Sequence, residues 1–192
     1  MKRKLLFLLS LAFMPLAILA DNSVEENGIF YKIENNEATV FKCNTDKAGD
    51  ITIPTTITYN GVAYDIKYIG ESAFRNCDKL TSVTIPNGVT TIGDWAFSNC
   101  GALTSIYIPQ SVTYLGDNVW TFSTNNIIDI KVDPNNCVYD SRYDCNAIIE
   151  TESNSIYLGC RNTQIPNDIE TVSGFIFCHT LTSIIIPEGV KK

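Results

Sequence analysis

Phe74, Phe97 and Trp120 stand 23 residues apart, and so do Gly70, Gly93 and Gly116. The same interval separates Ile85-Pro86 from Ile108-Pro109 and Cys77 from Cys100. A chain that returns to glycine, aromatic, cysteine and Ile-Pro columns at one fixed period is built from small units. Each is too short to bury its own apolar face, so the units must stack. The spacing predicts an elongated solenoid.

Within the unit Ile85 to Tyr107 and its neighbours the apolar positions read L-x-x-L-x-L, with one short strand per turn, which is the pattern of a leucine-rich-repeat solenoid. The predicted fold is mainly β and α/β-poor: short strands on one face, irregular turns on the other, and inserted β-hairpins. Strand alternation sends Leu80, Val83 and Ile85 inward, then Leu103, Ile106 and Ile108, then Ile127, Ile130 and Val132. Pro86 and Pro109 end their strands because they have no N–H to continue a ladder. Val89, Ile92, Ala96 and Phe97 are expected to line the returning side, with Gly93 freeing the backbone at the turn. The third coil departs from the pattern, carrying Trp120 for Phe, Ser123 for Cys and one extra residue before Ile127.

Lys2-Arg3-Lys4, the apolar run Leu5 to Leu19 and the small Ala20 have the layout of a secretory signal, so residues 1–20 are expected to be cleaved on export. The run is shorter than the ~20 residues a spanning helix needs and is broken by Pro15, which favours cleavage over an uncleaved anchor, and with no later segment able to span a bilayer no membrane insertion is expected after cleavage. Residues 21–50 read as an N-terminal capping hairpin, with Ile29 to Ile33 and Ala38 to Phe41 around Glu34-Asn35-Asn36-Glu37. Residues 51–192 are the solenoid proper. There, Ile57-Thr58-Tyr59 and Val62-Ala63-Tyr64 flank Asn60-Gly61, a pair suited to the positive φ of a type I′ turn. Residues 133–164 form an irregular insert, either a hairpin or a longer coil within the same stack, with Ala147 to Glu150 and Ser155 to Leu158 around the polar turn Thr151 to Asn154. Ile165-Pro166 resumes the period, Phe177 takes the Phe97 column, and Leu181, Ile184 and Ile186 are expected to form a further strand. Residues 186–192 open an incomplete repeat, expected to leave a surface for self-association.

The chain has 14 basic and 21 acidic residues; removing residues 1–20 takes away three basic and no acidic ones, leaving 11 against 21, a formal charge of −10. No Lys/Arg cluster follows residue 20, so nucleic acid and anionic membrane are not expected partners. The seven cysteines are dispersed through the coils without zinc-site spacing. Cys77 and Cys100 share a column about 5 Å apart in adjacent coils, within disulfide range, but buried thiols are the simpler account of a repeated core position. Cys145 and Cys160, facing each other across a hairpin, are the candidate disulfide.

His179 is the only histidine. Its neighbour Cys178 would point to the opposite face of a strand, which argues against a Cys-His dyad. Asp133, Asp140 and Asp144 miss the residue order of a calcium loop and read as turn formers. A non-enzymatic chain with no cofactor and no metal is expected. The remaining surface is the strand face opposite the core. Its middle column reads Thr52, Thr84, Tyr107, Lys131, Gln164 and Ile185, with Asp129 and Arg161 among the flanking residues. The candidate ligand-binding residues are Thr84, Tyr107, Asp129, Lys131, Arg161 and Gln164. Threonine, serine and tyrosine also simply suit exposed strands, so propensity explains Tyr107, Lys131 and Arg161 least. Trp95, beside the inward Ala96, is a candidate exposed anchor on the convex side.

The unit FxxCxxLTSVxIPxxVTxIGxxAF, as it stands in Phe74 to Phe97, resembles the BspA-like leucine-rich repeats of host-associated Bacteroidetes. Tyr139-Asp140-Ser141-Arg142 through Cys145-Asn146-Ala147-Ile148-Ile149 to Gly159-Cys160 resembles the longer insert of that family, and the resemblance covers residues 28 to 190. It implies a bacterial protein, secreted or at the cell surface. An adhesin-like role would follow, with a host matrix protein, or a protein or glycan on a host or bacterial surface, as partner. The repeat motif is scaffold and transfers no binding residue. The alternative is a structural or self-assembling unit, or a fragment of a longer solenoid, without a ligand of its own.

Overall fold

The structure, a computed structural model, describes residues 18, 19, 22–123, 125–172, 175, 178, 179 and 181–191. It opens with an antiparallel ribbon, β1 (Ile18–Leu19), β2 (Ser23–Glu26), β3 (Ile29–Glu34) and β4 (Glu37–Cys43). The expected hairpin is β3–β4. Asn35 and Asn36 between its strands both take positive φ, as the right-handed twist of a hairpin demands. β4 then stacks parallel on the next coil, so the ribbon is continuous with the solenoid.

The coils follow: β5 (Gly49–Thr52), β6 (Thr56–Tyr59), β7 (Val62–Ile69), β8 (Leu80–Thr84), β9 (Thr91–Ile92), β10 (Ser105–Ile108), β11 (Tyr114–Leu115) and β12 (Asp129–Val132). β6 and β7 form the hairpin predicted around Asn60-Gly61, both of positive φ. The front face carries two parallel pairs, β5 with β8 and β10 with β12. The returning side is more regular than expected. β4, β7, β9 and β11 form their own parallel ladder, because Thr91-Ile92 and Tyr114-Leu115 lie extended beside the same column of the coil before. Of the inward residues named from the pattern, Val83 alone is only partly buried, and it borders the place where β8 and β10 do not pair.

The third side of each coil is a run of tight turns. The N–H groups of Ser72, Phe74 and Asn76 donate to Asp94, Ala96 and Ser98 of the next coil, while those of Ala73, Arg75 and Cys77 close local turns. The backbone must therefore turn left-handed at Ser72 and Asn76, and again at Trp95 and Asn99, and at Asn118 and Phe122. Asparagine suits such positions; tryptophan and phenylalanine do not. The Ser-for-Cys exchange at position 123 keeps the local bonding: Cys100 Sγ donates to the Phe74 carbonyl at 3.0 Å and Ser123 Oγ to that of Phe97 at 2.6 Å.

Gly93 serves a different purpose from the one expected. Its φ is not positive; instead, a Cβ there would lie 2.8 Å from the Glu71 backbone nitrogen, so the column is glycine because adjacent coils touch backbone to backbone. Gly93→Ala is expected to cost about 2 kcal/mol through overpacking. Urea denaturation reads it out, with Gly101→Ala as the neutral control because nothing lies within 4 Å of a Cβ at Gly101.

Beneath the turns runs an aromatic stack. Phe74 and Phe97 lie 5.0 Å apart at 12°, Phe97 and Trp120 6.0 Å apart at 9°, and Tyr157 meets Trp120 edge-on at 6.4 Å. Tyr157 belongs to the insert, which comprises β13 (Tyr139–Asp140), a 3₁₀ turn η1 (Arg142–Asp144), β14 (Ala147–Glu150) and β15 (Ser155–Gly159). β14 and β15 pair around the predicted turn at Thr151 to Asn154. β14 is buried on both faces, so Ile148 joins the main core while Ala147 and Ile149 join a second cluster with Cys145, Ile156, Ile165 and Ile169. β16 (Thr171–Val172) adds parallel to β15.

The strand expected from Leu181 to Ile186 is absent. No strand of the resumed repeat at Ile165-Pro166 lies beside it as a template; Ile184 packs on the second cluster while Ile186 is exposed. Phe177, expected in the aromatic column, lies outside the described residues. Phe175 does pack on the second cluster, its ring over Gly159.

Candidate functional site

In β10 and β12 the alternation that buries Ile106, Ile108, Ile130 and Val132 leaves Tyr107 and Lys131 outside. Parallel register sets these two side by side. The Tyr107 side of the ladder is 47% exposed at this residue, and its hydroxyl donates to Asp133 Oδ2 at 2.8 Å. That bond raises the Tyr107 phenol above its ordinary range. Asp133 is held below the usual carboxylate range, first by the Asn135 N–H and then by Tyr107. Lys131 Nζ lies 3.6 Å from Asp129 Oδ1. An exposed pair of this kind contributes under ~1 kcal/mol, so the ammonium is readily shared with a partner. The patch offers a ring, a cation and two carboxylates on one flat ladder. That set can stack, pair charges and hydrogen-bond with a macromolecular surface.

Thr84 is also exposed, beside Thr52, but on the far side of the interruption between β8 and β10. Near it, Asp50 accepts the hydroxyls of Thr81 and Ser82, both at 2.7 Å, and these bonds keep its carboxyl low.

Arg161 and Gln164 do not continue the column. The outer edge of β12 is covered by side chains of the insert: the Ile130 N–H donates to Asn146 Oδ1 at 3.1 Å and the Val132 N–H to Ser141 Oγ at 3.0 Å. With those donors taken, no strand carrying Gln164 adds to β12, and the Gln164 N–H donates instead to the Cys145 carbonyl. The expected single face from Thr52 to Ile185 is therefore divided. Tyr107, Asp129 and Lys131 stay together; Thr84, Arg161 and Gln164 lie apart, the last in a separate groove with Tyr143.

Trp95 is half-buried rather than a fully exposed anchor, with the Arg75 guanidinium 5.7 Å from its ring centroid. Cys145 and Cys160 are both free thiols, and they pack into different clusters, Cys145 into the second and Cys160 into the main core. Burial pushes the Cys100 thiol up to about 12 and that of Cys145 up to about 11, so neither is a thiolate at neutral pH. His179 is exposed, its backbone N–H donating to Asn125 Oδ1 at 2.9 Å.

Two contributors escaped sequence reasoning. In the sequence Asp133 reads only as a turn former that misses the order of a calcium loop, although it lies one coil and three residues beyond Tyr107. Tyr143 has no periodic signal at all. Its backbone is left-handed (φ 58°, ψ 25°) and so is that of Asp144 (φ 51°), a conformation that costs a bulky residue on the order of 1–3 kcal/mol.

The family model for the BspA type leucine rich repeat region (6 copies) matches residues 37–151. No curated protein matches the chain. Among solved structures, the pneumococcal vaccine antigen PcpA is similar at 15% identity and a TM-score of 0.52, over 89% of this chain and 71% of that one. A leucine-rich repeat protein from Bacteroides capillosus is similar at 25% identity and a TM-score of 0.45, over 58% of this chain and 99% of that one. A leucine rich cell surface protein from Faecalibacterium prausnitzii is similar at 18% identity and a TM-score of 0.47, over 88% and 71%. The likeness to the pneumococcal antigen is one of fold.

Proposed function

Because the chain belongs to the BspA type leucine-rich repeat family, we propose that it is an exported, non-enzymatic binding module that recognises a protein or glycan on a host or bacterial surface through its front strand face. Export rests on the signal-like layout of residues 1–20. Recognition rests on one observation above the others: Tyr107 and Lys131 stand in register on a rigid parallel ladder, with the tyrosine hydroxyl fixed by Asp133. An aromatic ring that is exposed yet already ordered loses little freedom on binding, which is what makes such residues anchors.

The test is to present the purified chain to arrays of host matrix proteins and surface glycans while following its mass by light scattering. Saturable binding by a monomer is expected. The double variant Tyr107→Ala/Lys131→Ala should weaken it by about tenfold or more. Undiminished affinity in a variant with an unchanged circular dichroism spectrum sinks the strand-face reading. A second reading, self-association, is supported by Ile185 and Ile186, which are 87% and 58% exposed. Scattering mass that rises with concentration in the absence of any ligand favours it.

A further inference from the structure

We propose that the groove beside η1 is a second binding site, separate from the strand face, and that it takes a neutral pyranose unit of a glycan with Tyr143 as its stacking platform. The groove is open, about 410 Å³ in volume, and lined by Tyr143, Gln164, Ile165, Pro166, Asn167 and Asp168. That volume lies within the ~300–1,000 Å³ of small-ligand sites.

Tyr143 is held out of the core. The residue is 77% exposed, on a backbone that is left-handed at both Tyr143 and Asp144. Asparagine or glycine would fit that turn with less strain. The turn is kept in place from one side by Arg142. Its Nε and Nη2 donate to the Asp140 carboxylate, while Nη1 donates to Asn154 Oδ1 at 3.1 Å and to Asp168 Oδ2 at 3.0 Å. Arg142 thereby ties the platform to the groove wall: Asp140 and Asn154 belong to the insert, and Asp168 to the resumed repeat. A strained, exposed aromatic kept in position by an ion network is the kind of outlier from which function is properly inferred.

The groove's chemistry selects the ligand class. Its apolar floor is Ile165 and Pro166, both buried, and its rim is polar and exposed, formed by Gln164, Asn167 and Asp168. The Gln164 and Asn167 carboxamides each offer two donors and an acceptor, and Asp168 uses only Oδ2 toward Arg142. A pyranose matches this set, since its C–H face packs on an aromatic ring and its hydroxyls both give and take hydrogen bonds. The sugar should be uncharged. Arg142 is already engaged by two carboxylates, and the acidic surface disfavours a sialic or uronic acid.

The purified chain should be titrated with neutral gluco-, galacto- and manno-oligosaccharides, with sialylated and uronic oligosaccharides and proline-rich peptides alongside. Saturation-transfer NMR and calorimetry provide the readout. A neutral oligosaccharide is expected to bind with millimolar or better affinity. Tyr143→Asn, which removes the ring while easing the turn, should reduce affinity by about tenfold or more without lowering the thermal midpoint. Tyr143→Phe should retain binding within about threefold, because the ring face carries the contact. The strand-face variant Tyr107→Ala/Lys131→Ala should bind the sugar like the parent chain, which separates a failure here from a failure of the strand-face reading. The proposal is overturned if no neutral oligosaccharide binds, if Tyr143→Asn binds as the parent does, or if acidic sugars or peptides are preferred.

Discussion

Phe97→Ala is expected to remove about 4 kcal/mol of folding free energy, within the range for truncating a buried phenylalanine. Phe97 is sandwiched between Phe74 at 5.0 Å and Trp120 at 6.0 Å, and both neighbours are buried. Truncation opens a cavity that neither ring can fill: the Phe74 N–H donates to Ala96 of the next coil, and Trp120 is flanked by Val119 and Thr121, whose carbonyls accept from Phe97 and Asn99. It also removes two stacked contacts, each contributing roughly 0.5–1.5 kcal/mol beyond area burial. In a solenoid the stability is a sum of coil terms and nearest-neighbour interfaces, so a lesion at one coil weakens two interfaces. Urea unfolding followed by tryptophan fluorescence should show a large fall in midpoint, because Trp120 reports on the damaged interface. A loss below about 1.5 kcal/mol would mean that the coils slide together and that the stack is not the spine of the core.

Asn136→Leu should cost about 3–5 kcal/mol despite being close to isosteric. Asn136 is buried, and its amide uses all four bonding groups. Oδ1 accepts the N–H groups of Val138 and Tyr139, both at 2.9 Å, and Nδ2 donates to the carbonyls of Pro109 and Val112, again both at 2.9 Å. One side chain thus joins the insert to the corner of the preceding coil. Leucine leaves the Val138 and Tyr139 N–H groups and the Val112 carbonyl without this partner, while the Pro109 carbonyl keeps the Val112 N–H, and each orphaned group costs roughly 1–3 kcal/mol where water cannot reach it. Chemical denaturation measures the loss. Hydrogen exchange locates it: the amides of Val138 and Tyr139 should lose protection first. A variant as stable as the parent would show that water replaces the carboxamide.

The inward columns, the two hairpins around Asn35-Asn36 and Asn60-Gly61, and the hairpin of the insert were all legible in the sequence. Each depends on chemistry repeated at a fixed interval or confined to one turn. The candidate strand face was legible only in part. Tyr107 and Lys131 stand 24 residues apart, and the apolar positions Ile127, Ile130 and Val132, displaced by one extra residue, predict their pairing, which the register bears out. Extending the period across residues 133–164 puts Gln164 in that column and Arg161 in the column beside it. That extension fails because Asn146 and Ser141 cap the edge of β12 with side-chain oxygens.

The sequence by itself determined the solenoid, because burying an apolar column in every coil is a requirement written afresh every 23 residues. Tertiary structure decided where that regularity stops. The Leu115 N–H donates to the Tyr139 hydroxyl, 24 residues away, and the Gly116 carbonyl accepts from the Tyr157 hydroxyl, 41 residues away, so the insert closes the third coil with side chains instead of a strand. Tertiary structure also set Tyr143 outward beside Gln164, Asn167 and Asp168. Such partners are fixed by where side chains arrive in space, and no interval along the chain encodes them.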